Sequence, residues 1–226
     1  DVSLPSDFLL RLAKHYQGGA DYVLVESVVS NTDALLPRYV QALHSYYYGP
    51  NTTVNMNWTE GFSCRKAAAI AVGLIPEGSG VPLVAGEDGW FGERLQTAGY
   101  NKVFDRSIVV PHVMPARLKP FFKQRIGRGH GVGQIWMLRY GIRRGTLFNR
   151  AIIQTLIVWT SSALIVPILY RGWQYSQHSP RKRADWLPFS VAYLLESWAN
   201  LFGLWYSYFE FLRAGITGPL PNPDAA

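Results

Sequence analysis

The chain has 226 residues, of which 48% are apolar, 14% aromatic and only 16% charged, and its formal net charge is +7. A basic excess fits nucleic acid, an anionic membrane surface or a phosphorylated substrate. No nucleic-acid-binding motif accompanies the charge, and the basic residues cluster just before an apolar run. We therefore expect membrane and phosphate partners and no nucleic acid. The single cysteine, Cys64, excludes an internal disulfide and a cysteine-based metal site.

The first 110 residues alternate between helical and strand patterns, which predicts an α/β fold. Residues with apolar spacing typical of helices, or with the β-branched runs typical of strands, fall in a regular order along this part of the chain. The predicted helices cover 4–16, 33–48, 67–72 and 86–99, and the predicted strands cover 21–29 and 102–110.

Two adjacent carboxylates, Glu87 and Asp88, stand at the start of the predicted helix 86–99, and Gly99 is placed to end it. The positive field of a helix N-terminus favours carboxylates in the first turn, so we expect Asp88 to stay ionised and able to accept a proton. The alternative is that both residues only cap the helix.

The run Gly-Glu-Asp, a bulky residue, then Arg-Leu and Ala-Gly-Tyr resembles the acceptor-side motif of family 2 glycosyltransferases, which have the GT-A fold. The resemblance extends upstream to residues 61–66 and downstream through His112 to residues 124–131. It implies that residues 1–135 are the C-terminal part of a GT-A catalytic domain. It also implies an inverting sugar transfer from a nucleotide-diphosphate donor, with Asp88 as the base that deprotonates the acceptor.

The same resemblance assigns further roles. Glu87 is expected to shape the site, Trp90 to contact the acceptor, and Arg65 to bind substrate beside a small residue that lets the acceptor approach. Asp1 resembles the last carboxylate of the family's Asp-x-Asp motif, so the chain is expected to begin inside the catalytic domain. His112 follows a predicted strand and is expected to complete, with Asp1, a site for Mg²⁺ or Mn²⁺. The alternative for His112 is a structural role.

Basic residues alternate with aromatics and glycines over 117–131. A diphosphate leaving group needs cationic donors, and the planar guanidinium of arginine suits it. Here the resemblance is to the Gln-x-x-Arg-Trp motif, which makes Gln124, Arg125 and Arg128 candidate substrate-binding residues. The spacing is one residue longer and Gly129 replaces the Trp, which argues against a processive synthase. The alternative is a basic helix on anionic lipid.

The chain from residue 136 onward has the composition of a membrane-associated region. Residues 136–150 are basic, and residues 151–170 contain no charge over 20 positions, enough to span a bilayer core of about 30 Å. Residues 187–212 form a second apolar stretch with a polar stripe, expected to be an interfacial or membrane helix, and 213–226 form a flexible tail. The positive-inside rule places 1–150 in the cytoplasm. A buried core helix is the alternative for 151–170.

Together these features predict a partial GT-A domain followed by a helical membrane-associated region in the inner (plasma) membrane. The expected function is a membrane-anchored inverting glycosyltransferase. Its expected acceptor is a lipid-linked glycan, in exopolysaccharide or cell-envelope glycan synthesis. Two alternatives remain open: a processive polysaccharide synthase, and a non-catalytic membrane protein whose basic belt binds lipid.

Overall fold

The computed structural model describes residues 2–50, 60–78 and 80–218, and this part of the chain has a mixed α/β fold. Three strands form one sheet: β1 (Tyr22–Val29), β2 (Ser63–Cys64) and β3 (Lys102–His112). The helices among the described residues are α1 (Phe8–Gln17), α2 (Leu35–Tyr48), α3 (Lys66–Ala71), α4 (Glu87–Thr97), α5 (Leu118–Leu138), α6 (Arg144–Leu164), α7 (Val166–Ser176) and α8 (Trp186–Arg213). A short 3₁₀ turn, Lys182–Asp185, precedes α8.

The sheet has the order β2-β1-β3, with β1 parallel to β3 and antiparallel to β2. Tyr22 lies opposite Lys102 at one end, and Val29 lies opposite His112 at the other. The register shifts after Val25, so the middle of β3 bulges away from its partner. Because the two long strands are parallel, their carboxyl ends share one edge, and His112 lies at that edge.

Each face of the sheet is covered by helices. Val23 and Val25 of β1 pack with Phe8 and Leu12 of α1. The intervening side chains point to the opposite face, where Tyr22 and Leu24 pack against Ala68 of α3 and Phe91 and Leu95 of α4. The strand predicted over 21–29 is confirmed as Tyr22–Val29, and the helix predicted over 86–99 is confirmed as Glu87–Thr97, which ends shortly before Gly99 at φ +81°.

Helix α8 packs along α5 through positions where a side chain would not fit. A Cβ at Gly203 would lie 2.0 Å from the Ile126 carbonyl oxygen, and one at Gly129 would lie 2.1 Å from the Asn200 carbonyl oxygen. Glu196 forms an ion pair with Arg125 in the same interface. The polar stripe predicted on 187–212 therefore faces another helix of this chain.

Residues 151–170 do not form the single helix that their composition predicts. Helix α6 ends at Leu164, α7 begins at Val166, and the two axes differ by 87°. Ile165 lies between them at φ +61°, and Pro167 occupies the first turn of α7. A proline inside an apolar run interrupts the helix before it. Among the described residues no single helix meets the length and hydropathy criteria for a membrane span, whereas the bent α6–α7 pair meets them together.

Candidate functional site

Asp88 lies in the first turn of α4, half-buried, at a point where the backbone changes direction. Gly86 precedes the helix at φ +91°, a conformation that favours glycine. Burial raises the pKa of Asp88; the Gly89 N–H, 2.7 Å from Oδ1, opposes this, while the carboxylates of Glu87 and Glu60 raise the pKa further. The helix field was expected to favour the ionised form of Asp88. In the structure, burial and the neighbouring carboxylates have the larger effect on the pKa and raise it.

Glu60 is held near the sheet because the residue after it, Gly61, packs directly against β1 and β3. Gly61 has φ +73°, and a Cβ there would lie 2.5 Å from a Val25 methyl carbon and 2.9 Å from a Val110 methyl carbon. Only glycine permits this approach. The carboxylate of Glu60 consequently interacts electrostatically with both Asp88 and His112.

His112 is buried at the end of β3, and one of its two ring nitrogens takes part in a hydrogen bond. Its Nδ1 and the Ser27 hydroxyl are 2.9 Å apart and share a hydrogen bond. Its Nε2 is buried with no hydrogen-bond partner among the described residues. Burial lowers the pKa of His112, the Glu60 carboxylate opposes this, and the Arg128 guanidinium lowers it further. The ring is therefore a neutral imidazole at physiological pH, the form that ligates metals.

This environment fits one metal ligand and not a complete site. A ring nitrogen without a partner, oriented by a hydrogen bond on its other nitrogen, is typical of a ligating histidine. Asp1 lies outside the described residues. Among the residues that the structure describes, no group of three or more His, Cys, Asp or Glu side chains is placed to hold a metal ion. A site for Mg²⁺ or Mn²⁺ would therefore need ligands in addition to His112.

Arg128 of α5 and His44 of α2 lie near His112 at the same edge of the sheet. Arg128 is exposed on α5 and interacts electrostatically with both His112 and His44. The rings of His44 and His112 have centroids 6.2 Å apart. Burial lowers the pKa of His44 to about 3, with Arg128, His112 and Arg125 contributing. Sequence reasoning missed His44, since a lone histidine inside a helix gives no local signal.

A cavity of about 420 Å³ opens beside this group, between β1 and α2. Its walls include Glu26, Ser27, His44, Tyr46 and His178. Its volume lies within the range of about 300–1,000 Å³ typical of small-molecule sites. Ser27 and His44 line the cavity and also contact His112. The cavity therefore adjoins the group that contains His112 and Arg128.

Gln124 and Arg125 occupy different environments from Arg128. Arg125 is fully buried, with its guanidinium 4.9 Å from the centre of the Phe121 ring and its Nε 3.2 Å from Glu196 Oε1. The prediction that Arg125 contacts a diphosphate is therefore not supported by its placement, because its charge is directed into the α5–α8 interface. Gln124 is half-buried, with Nε2 3.7 Å from the Met114 sulfur.

Trp90 and Arg65 make contacts that differ from those expected of substrate-binding residues. Trp90 is only 4% exposed and packs with Met137 and Leu147, so it forms core rather than a surface for an acceptor. Arg65 donates to the carbonyl oxygens of Ala20 and Tyr16, at 3.0 and 2.7 Å. These contacts lie at the opposite end of the sheet from His112, roughly 23 Å away for seven residues of strand.

Electrostatic interactions thus link residues of three elements in series: Asp88, next to Glu87 on α4, interacts with Glu60, Glu60 with His112 of β3, and His112 with Arg128 of α5. A half-buried carboxylate with a raised pKa, a neutral imidazole and an exposed arginine can take up a proton and hold an anion. Compared with models of known protein families and with curated protein sequences, the chain shows no match.

Proposed function

We propose that the chain belongs to a membrane-associated inverting glycosyltransferase with a partial GT-A domain, acting on a nucleotide-diphosphate sugar and a lipid-linked glycan acceptor. The observation that supports this most directly is the series of electrostatic interactions from Asp88 to Glu60, from Glu60 to His112 and from His112 to Arg128. Asp88, His112 and Arg128 are separated by up to 40 positions, and the family resemblance assigns all of them to one site.

In the proposed reaction Asp88 accepts the proton of the acceptor hydroxyl. The acceptor oxygen bonds to the anomeric carbon as the bond from that carbon to the diphosphate oxygen breaks, and the diphosphate leaves with the electron pair. Arg128 stabilises the departing negative charge. A raised pKa suits Asp88 to this role, since a general base works best with a pKa near the working pH. A divalent cation held in part by His112 would supply further charge neutralisation.

The position of Gly129 favours a single transfer over processive polymerisation. In the motif that residues 124–128 resemble, the following position is a Trp. Here a Cβ at Gly129 would lie 2.1 Å from the Asn200 carbonyl oxygen and 2.7 Å from its Cα, so the backbone of α8 occupies the space of a larger side chain.

The test is Asp88→Asn in the full-length protein, because it keeps the size of the side chain and removes its basicity. We expect release of nucleoside diphosphate with an acceptor present to fall about 10²–10⁴-fold, the usual contribution of a general base. Asp7→Asn is the matched control, since Asp7 is exposed and makes no side-chain cap hydrogen bond.

Donor binding and the circular dichroism spectrum should be unchanged in both variants. Transfer by Asp88→Asn within a few-fold of the parent protein would refute the assignment of the base. Failure of the parent protein to bind any nucleotide sugar would favour the non-catalytic alternative.

A further inference from the structure

Helix α6 exposes apolar side chains around most of its circumference. It buries only a narrow stripe, Leu147, Ala151 and Val158, and eight of its fourteen exposed residues are apolar. We call the following exposed residues of α6 and α7 the apolar surface: Ile153, Leu156, Trp159, Leu164, Val166 and Trp173, each between 47% and 69% exposed. Soluble monomers rarely expose so many adjacent apolar groups.

Both ends of the α6–α7 pair are attached to the α/β part of the chain. At the start of α6, Leu147 belongs to the same core cluster as Trp90. At the end of α7, Tyr175 packs against Tyr39 of α2 with ring centroids 6.0 Å apart. The pair is therefore attached to the α/β part at both ends, and between these attachments it packs against α8, where the rings of Trp159 and Trp198 have centroids 5.6 Å apart.

The bend lies far from both attachments. Ile165, at φ +61°, is in a conformation unusual for a β-branched residue, and it is 54% exposed. The residues on both sides of it, Leu164 and Val166, are 67% and 69% exposed, the highest values in the apolar surface. The 87° change of direction thus forms an apolar tip.

The exposed charged residues near the apolar surface are mostly basic, so they are complementary to a negatively charged partner. Residues 136–218 contain three acidic residues, and each contacts a partner inside the protein: Asp185 binds Arg38, Glu196 binds Tyr39, and Glu210 binds His130. The same region has nine lysines and arginines. Six of them are exposed: Arg143, Arg150, Arg181, Lys182, Arg183 and Arg213.

We propose that α6 and α7 insert into one leaflet of an anionic lipid bilayer, entering and leaving on the side where the α/β part lies. A crossing pair would place Asp185 and Arg38 on opposite sides of the bilayer, whereas they form a buried ion pair. Exposed basic residues near both ends of the pair would meet anionic headgroups, as in interfacial helices. This inference does not depend on the reaction that the protein performs.

The first experiment is flotation of the purified full chain with vesicles of phosphatidylcholine, alone or mixed with phosphatidylglycerol. We expect recovery with the mixed vesicles and a decrease at high salt. The double variant Leu156→Glu/Trp159→Glu should lower the partition coefficient by about tenfold or more, because burial of each such side chain contributes over 1.4 kcal/mol.

The matched control is Leu9→Glu/Leu10→Glu on α1, where both leucines are exposed but lie outside the apolar surface. Its recovery should equal that of the parent chain. Equal flotation of the α6 variant, or a chain that forms a stable dimer in solution and does not float, would overturn the proposal.

The second experiment determines the path through the bilayer. In a Cys64→Ser background, single cysteines replace Gly145 near the start of α6, Gln177 just after α7, and Leu164 at the tip. A membrane-impermeant maleimide added to one side of sealed vesicles should label positions 145 and 177 equally and leave position 164 unlabelled. Labelling of 145 and 177 from opposite sides would show that the pair crosses the membrane.

Discussion

The ion pair between Arg38 and Asp185 should be one of the most costly polar contacts to remove, since it attaches the 3₁₀ turn between α7 and α8 to α2. Arg38 Nε and Nη2 lie 2.8 and 3.0 Å from the two oxygens of Asp185. Its Nη1 donates to the carbonyl oxygens of Thr32 and Asp33. Both charged residues are at most 5% exposed.

Asp185→Asn leaves the guanidinium buried without a counter-charge, and breaking such a pair costs about 3–5 kcal/mol. The assay is chemical unfolding in mild detergent, followed by tryptophan fluorescence. Glu26→Gln is the control: Glu26 lies 2.7 Å from Arg106 in a pair with side chains about 30% exposed, so its loss should cost about 1 kcal/mol or less. Equal costs for the two variants would refute the reasoning.

The pH dependence gives a second check on the same pair. Burial alone would raise the pKa of Asp185, but hydrogen bonds from Arg38 and Ser179 hold it below its usual value. Its contribution to stability is therefore present above the unfolded-state pKa of about 3.9 and lost as pH falls through the folded-state value. The difference in unfolding free energy between the parent protein and Asp185→Asn should shrink below about pH 4.

Three further predictions concern α5, α8 and the candidate site. Gly203→Ala should cost about 1–3 kcal/mol in unfolding free energy, because the new methyl group would overlap a backbone carbonyl of α5. The control is Gly145→Ala on α6: no atom lies near the position of the new methyl group, so the unfolding free energy should be unchanged or higher. Glu60→Gln removes a charge that raises the pKa of Asp88, so the acid limb of the kcat/KM profile should move to lower pH; an unchanged limb would contradict the proposed base. Arg128→Gln should weaken nucleoside diphosphate binding in a titration and leave unfolding unchanged.

Local patterns were sufficient to predict the two long strands, β1 and β3, and the helix that contains Asp88. Strand β1 is β-branched and is bounded by Gly19 and Asn31, and α4 ends before Gly99. The break at Ile165 was not predicted, although Pro167 indicates one. A run of 20 uncharged residues predicts a segment long enough to span a membrane, but it does not predict whether that segment bends. The register shift after Val25 has no signal in the sequence, since it depends on how β3 pairs with β1.

The candidate site was predicted where motifs were local and missed where the fold assembles it. Asp88 and His112 were identified by their positions at a helix start and a strand end. His44 reaches the group only because α2 packs beside the edge of the sheet. The resemblance assigns Trp90 to the acceptor, but Trp90 is buried in a core cluster with Met137 and Leu147, some fifty positions later. Burial by distant segments cannot be deduced from spacing alone.

Helix α5 connects the two proposals physically. Its exposed Arg128 belongs to the candidate site, and the next residue, Gly129, contacts the backbone of α8 at Asn200. Helix α8 in turn packs along α6, where Trp205 Nε1 donates to Thr155 Oγ1 at 3.0 Å. Insertion of α6 and α7 would therefore fix the height of the site above the lipid. A soluble acceptor would gain nothing from such an arrangement, whereas a lipid-linked acceptor has its hydroxyl at a height set by the same bilayer.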